Sequence, residues 1–175
     1  MYESQIVISA LGQDKPGIVK TLSKTVLDCG GNISDSRMTR LGDEFAMIML
    51  VECPETIVST IENAVQALQE NEGLTITSKK TTLKAQKPHM LYQANVVCMD
   101  QPGIVHQITD YLAQQHINIE ELDTGSYAAA HTGAPMFALD MTISIPASVN
   151  TAEFKQNFLS FCDELNLDAV VDAIQ

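Results

Sequence analysis

The stretch Asp14-Lys15-Pro16-Gly17-Ile18-Val19 occurs twice in this chain. It returns 86 residues later as Asp100-Gln101-Pro102-Gly103-Ile104-Val105, and Asn32-Ile33 returns at the same spacing as Asn118-Ile119. Farther on the spacing widens to 92, where Phe45-Ala46-Met47 matches Phe137-Ala138-Leu139 and Pro54 matches Pro146. Six extra residues therefore sit in the second copy, near Ala128-Ala129-Ala130-His131-Thr132-Gly133, which reads as a longer loop. Self-similarity at a fixed spacing marks a repeated structural unit. The 175 residues thus divide into a first domain over 1–83, a linker over 84–88 and a second domain over 89–175. The linker, Lys84-Ala85-Gln86-Lys87-Pro88, is polar and without apolar period.

Each copy repeats one order of elements. The apolar run Ile6-Val7-Ile8 reads as a strand that ends at Gly12-Gln13-Asp14, with Pro16 placed where a first helical turn tolerates it. Val19, Leu22 and Val26 then recur at helical spacing, as do Val105, Ile108 and Leu112. Gly30-Gly31 stops the first helix, a strand opens at Asn32, turns at Leu41-Gly42-Asp43 and returns through Phe45 to Val51. Pro54 opens a second helix with Ile57, Ile61, Val65 and Leu68 on one face; Phe154, Phe158, Phe161 and Leu165 answer it. Leu74–Thr77 and Leu167–Val171 close the two units as strands. The order βαββαβ is the α+β, ferredoxin-like pattern, with two helices on one face of an antiparallel sheet. Phe45 to Val51 is apolar at every position, whereas Phe137 to Ser144 alternates with Asp140, Thr142 and Ser144. A strand buried on both faces reads as the first does, so the first sheet's outer face is expected to be covered by the other copy or a second chain. The alternative is that Met47 and Met49 are core filler.

Composition narrows the function. Asp and Glu number 22 against 10 Lys and Arg, a net charge of −12. A nucleic-acid surface works through Lys and Arg, so direct binding to DNA or RNA is not expected. The charge is also uneven: residues 1–87 carry −2 and residues 88–175 carry −10, with Lys155 the second half's one Lys or Arg. An acidic face offered to a basic surface on a partner fits that division. No apolar run approaches the ~20 residues of a membrane span, and a cytoplasmic protein is the expectation. Cys29, Cys53, Cys98 and Cys162 and the four histidines, His89, His106, His116 and His131, lack metal-ligand spacing. Neither a metal nor another cofactor is expected.

The known catalytic signatures are missing: no nucleophile elbow, phosphate-binding glycine loop or H-E-x-x-H. Glu120, Glu121 and Asp123 cluster, and in so acidic a chain they read as a solvated face. Small phosphatases of this fold class need an Arg in the first loop, and Gly12-Gln13-Asp14-Lys15-Pro16 has none. What stands out is the repeated D-x-P-G loop at a helix N-terminus, where backbone N–H groups and the dipole favour an anion. Gly17 and Gly103 permit close approach, Asp14 and Asp100 suit an ammonium, and Asn32 and Asn118 offer donor and acceptor. Such a loop matches both ends of an α-amino acid. The same residues also suit a structural role, with Asp as cap, Pro fixing φ and Gly relieving crowding.

D-x-P-G-I-V followed by N-I inside βαββαβ resembles the ACT domain, a small-ligand regulatory module. In the first copy, Ile8 to Val19, Asn32 to Arg37, Leu41 to Phe45 and Ile48-Met49-Leu50 resemble the glycine cleavage system transcriptional repressor family, whose members are tandem ACT pairs. The resemblance implies a non-catalytic repressor. It would act by binding the DNA-binding activator of the glycine cleavage operon, with glycine as modulating ligand and a homodimer as assembly. It places ligand sites between paired ACT domains, at Gly12, Asp14 and Gly17 with Asn32, and at Asp100 and Gly103 with Asn118. The second copy departs from the pattern, with Glu121-Leu122-Asp123 standing where Asp35-Ser36-Arg37 does. An interaction-only ACT module with vestigial ligand sites is the alternative.

Overall fold

The computed structural model describes residues 4–82 and 88–174. The chain divides into two compact units, Met1–Lys84 and Ala85–Gln175. The expected linker lies outside the described residues except for Pro88, whose carbonyl accepts a hydrogen bond from Ala147 N at 3.2 Å.

The first unit runs β1 (Ser4–Gln13), α1 (Ile18–Asp28), β2 (Asn32–Leu41), β3 (Glu44–Cys53), a 3-10 turn (Glu55–Ile57), α2 (Val58–Glu72) and β4 (Thr75–Thr81). The second runs β5 (His89–Met99), α3 (Ile104–Gln114), β6 (Asn118–Ala128), β7 (Pro135–Pro146), α4 (Thr151–Glu164) and β8 (Asp168–Ala173). The sheets have orders β2-β3-β1-β4 and β6-β7-β5-β8, with every neighbour antiparallel. Each is therefore the βαββαβ unit read from the repeat. The extra residues of the second copy form the connection between β6 and β7, where the first unit has only a Gly42-Asp43 turn.

Alternation along the strands sends one row of side chains into the core. Ile6, Ile8 and Ala10 of β1 meet Phe45, Met49 and Val51 of β3 under the two helices. Fully burying residues such as Phe45 or Ile61 is worth about 1.5–3 kcal/mol each. The helix faces differ from the sequence reading only at their first residue. Ile18, Leu22 and Val26 are buried while Val19 stays 37% exposed, and Ile104, Ile108 and Leu112 do the same with Val105 outside. The reason is that Pro16 lies in the preceding turn and the helix starts only at Ile18, after a left-handed Gly17 (φ 92°). In α4, Cys162 joins Phe154 and Phe158 in the core, and Phe161 is only partly buried, stacking on Tyr111 with ring centroids 4.4 Å apart.

Two glycines of the first unit have counterparts with side chains in the second. Gly30 is left-handed (φ 86°), and His116 takes the same conformation at φ 56°. A Cβ on Gly31 would meet Ile61, Val26 and Val51 at 3.0 Å each, whereas Ile117 is itself buried in the second core. Met47 and Met49 lie on the helix-covered face of their sheet, as core filler. The outer row, Ala46, Ile48 and Leu50, has no layer of its own unit over it, and Ile48 is 48% exposed.

Candidate functional site

The repeated loop leaves β1 and enters α1 through the left-handed Gly17. Asp14 N donates to Asp43 O at 2.9 Å, tying the loop to the β2–β3 turn. Thr21 N donates to Gly17 O at 2.9 Å and starts the helix. Asp14 does not cap α1, which has no side-chain cap. Its carboxylate instead faces Arg40 of β2, with Nη1 to Oδ2 at 3.5 Å. Lys15 is anchored across the unit on Glu72, at 2.6 Å to the carboxylate and 3.2 Å to the carbonyl.

Gln13, Asp14, Arg40 and Asp43 line an open recess of about 320 Å³. One guanidinium and two carboxylates thus border a space sized for a small molecule. A guanidinium is a fork for a carboxylate, and Asp carboxylates accept from an ammonium. Arg40 and Asp43 escaped the sequence reading because they lie on β2 and its turn, 26 and 29 residues after Asp14. The signal that could have found them is the repeat itself. At the corresponding positions the second copy has Ser126 and Pro135, both uncharged.

The second loop is built alike but chemically quieter. Asp100 N donates to Pro135 O at 2.9 Å, Gln107 N donates to Gly103 O at 2.9 Å, and Gly103 has φ 99°. Asp100 Oδ2 accepts from Ser126 Oγ at 2.9 Å. No cation stands where Arg40 does.

The remaining expected residues do not join these loops within a unit. Asn32 pairs with Glu52 at one end of β2, while Leu41 pairs with Glu44 beside the loop at the other. The strand is ten residues long, about 30 Å at ~3.3 Å per residue. Asn118 is likewise at the far end of β6, opposite Ser144, and its Nδ2 donates to Glu120 Oε1 at 2.8 Å. Asn32 and Asp14 therefore lie at different ends of one unit. Gly12 has a packing duty of its own: a Cβ there would lie 2.8 Å from Leu74 Cδ2 and 3.1 Å from the Gly73 carbonyl.

Four titratable groups outside the loops are each held in one protonation state by their surroundings. Glu120 is held below the usual carboxylate range by hydrogen bonds from Ser144 and Asn118, so it stays ionised. Burial raises the Cys53 and Cys98 thiols and pushes Cys162 up to about 12, leaving them protonated. Among the described residues no group of three or more His, Cys, Asp or Glu is placed to hold a metal. No described helix is long and apolar enough to cross a membrane.

The fold and loops define the class: two ACT units in tandem, with residues 4–79 matching the ACT domain family model. The chain belongs to the glycine cleavage system transcriptional repressor family. It is 33% identical over 172 residues to the repressor of that name from Escherichia coli K12, covering 97% of this chain and 90% of the relative. The Shigella flexneri repressor matches with the same identity and coverage. A solved structure of an unknown protein from Galdieria sulphuraria, 26% identical, superposes with a TM-score of 0.78 over 98% of this chain and 99% of that one. The chain is thus a regulatory protein of repressor type, not an enzyme.

Proposed function

We propose that this protein represses glycine cleavage genes by contacting the DNA-binding activator of that operon, and that a small amino acid, glycine, modulates the contact. The observation that carries the ligand half is the recess of Gln13, Asp14, Arg40 and Asp43. In the bound state Arg40 takes the carboxylate, and Asp14 with Asp43 takes the ammonium. Gly17 serves the loop through its left-handed turn into α1 (φ 92°) and lines a neighbouring surface depression with Lys15 and Thr21, not the recess itself. Asn32 stands at the opposite end of β2 from this recess. Gly12 supports the loop from behind by letting Leu74 pack against it. Asp100 and Gly103 form the equivalent, weaker loop of the second unit, with Asn118 at the far end of β6. The assembly is a homodimer.

The acidic balance of −12 supports repression through a protein and not through direct contact with DNA. A second reading applies to the second unit. Asp100 is satisfied by Ser126, and no guanidinium lines that loop, which favours an interaction surface with a vestigial ligand site there. Titration calorimetry with glycine and a panel of amino acids, alone and with the activator, tests the sensor half. Absence of binding in both settings removes it. Pull-down of the activator with and without glycine tests the partner half, and promoter DNA should not shift with this protein alone at moderate salt.

A further inference from the structure

The outer face of the first sheet carries a row of four cross-strand neighbours. Asp35 of β2 pairs with Leu50 of β3, Leu50 with Val7 of β1, and Val7 with Lys79 of β4. The row reads acid, apolar, apolar, base from one sheet edge to the other, and Asp35 also holds Arg37 of its own strand at 2.6 Å. Beside it, Ile48 is 48% and Leu11 51% exposed on the same face. Val7, Ile48 and Leu50 floor a shallow depression of about 260 Å³ rimmed by Asp35, Arg37 and Thr81.

This order is self-complementary under a two-fold axis parallel to the strands. The rotation lays β2 of one copy over β4 of the other and leaves the level along the strands unchanged. Asp35 then faces Lys79 of the second copy, Leu50 faces its Val7, and both contacts occur twice. Self-complementarity of one patch is what an isologous dimer requires. We propose that this face is the homodimer interface, two copies stacking first unit on first unit. The proposal rests on the homodimer reading above and names the surface that makes it.

The second sheet shows why the first unit is the one used. Its equivalent row is Glu121, Thr142, Gln93 and Asp172, acidic at both edges and polar between. The same rotation would set Glu121 against Asp172 twice, with no apolar gain. The next row places Asp123 directly opposite Asp140, which adds to the repulsion. The first face offers four strands at about 4.8 Å and roughly seven residues at ~3.3 Å, on the order of 450 Å² per copy. That is below the ~800 Å² per partner of a standard interface, so the dimer is reversible. Stacking uses the sheet face and leaves the edge of β2 and the Asp14 recess open, so ligand binding is separable from it.

Sedimentation velocity across micromolar concentrations tests the proposal with charge swaps. Asp35→Lys puts Lys against Lys79, and Lys79→Glu puts Glu against Asp35. Each alone should weaken the dimer by about tenfold or more. An equimolar mixture of the two variants, or the double variant, should restore it, a rescue that misfolded protein would not give. Asp172→Lys should leave the dimer unchanged, and glycine binding should persist in the Lys79→Glu variant. A parent chain that stays monomeric overturns the homodimer reading and this proposal together. A dimer that ignores both swaps, or a mixture that fails to recover, overturns this interface alone.

Discussion

Gly12→Ala separates a packing role from a ligand role at one of the loop positions. The added Cβ would stand 2.8 Å from Leu74 Cδ2, 3.1 Å from Gly73 O and 3.4 Å from Leu74 Cα. Leu74 is 4% exposed and held in the first core, so its side chain has little room to swing aside. The Gly73 carbonyl belongs to the turn that ends α2, where Gly73 is left-handed (φ 68°) and its N–H donates to Gln69 O at 3.1 Å. Either Leu74 leaves its rotamer or the α2–β4 turn shifts. Overpacking of this kind costs about 1–3 kcal/mol. For a domain of this size each kcal/mol lowers the midpoint by about 4–8 °C. Scanning calorimetry of the full chain should therefore show the first unit's transition falling by roughly 5–20 °C. The double variant Gly12→Ala, Leu74→Ala should lose less than the sum of the two single losses, because the Cδ2 clash and the lost methyls share one space while the 3.1 Å contact to Gly73 O remains. A midpoint unchanged in the single variant, or strictly additive losses in the double, would refute the packing argument. A glycine affinity that drops with no change in midpoint would return Gly12 to the ligand site.

Arg40→Ala should weaken glycine binding by about tenfold or more, the loss of one charge-assisted contact, while Ser126→Ala leaves it unchanged; calorimetry reads both. The Glu120 carboxylate is depressed in the folded chain, so its contribution is present above its unfolded pKa of about 4.3 and is lost as pH falls through the lower folded value. Ser144→Ala removes the larger of the two hydrogen bonds responsible, and should flatten the acid limb of the second unit's stability curve; an unchanged limb would contradict this. In alkylation at pH 8, Cys29, half-buried, should react first, with Cys53, Cys98 and Cys162 protected until unfolding. Early labelling of Cys162, seen by mass spectrometry of digested protein, would count against the core as described.

The amino-acid sequence alone determined the two βαββαβ units and the site-bearing loops. Those follow from local physics: period two in strands, period near 3.6 in helices, Gly and Pro where the chain turns. The repeat multiplied the signal by showing each pattern twice. Even so, the first residue of each helix face was misread, since whether α1 starts at Pro16 or Ile18 depends on Gly17 turning left-handed. Other features exist only once strands pair, because register is what makes neighbours of residues far apart in the chain. Register set Arg40 against Asp14 and carried Asn32 about 30 Å from both. It also lined up Asp35, Leu50, Val7 and Lys79 in one row, and the turn after α2 placed Leu74 where a side chain on Gly12 would stand.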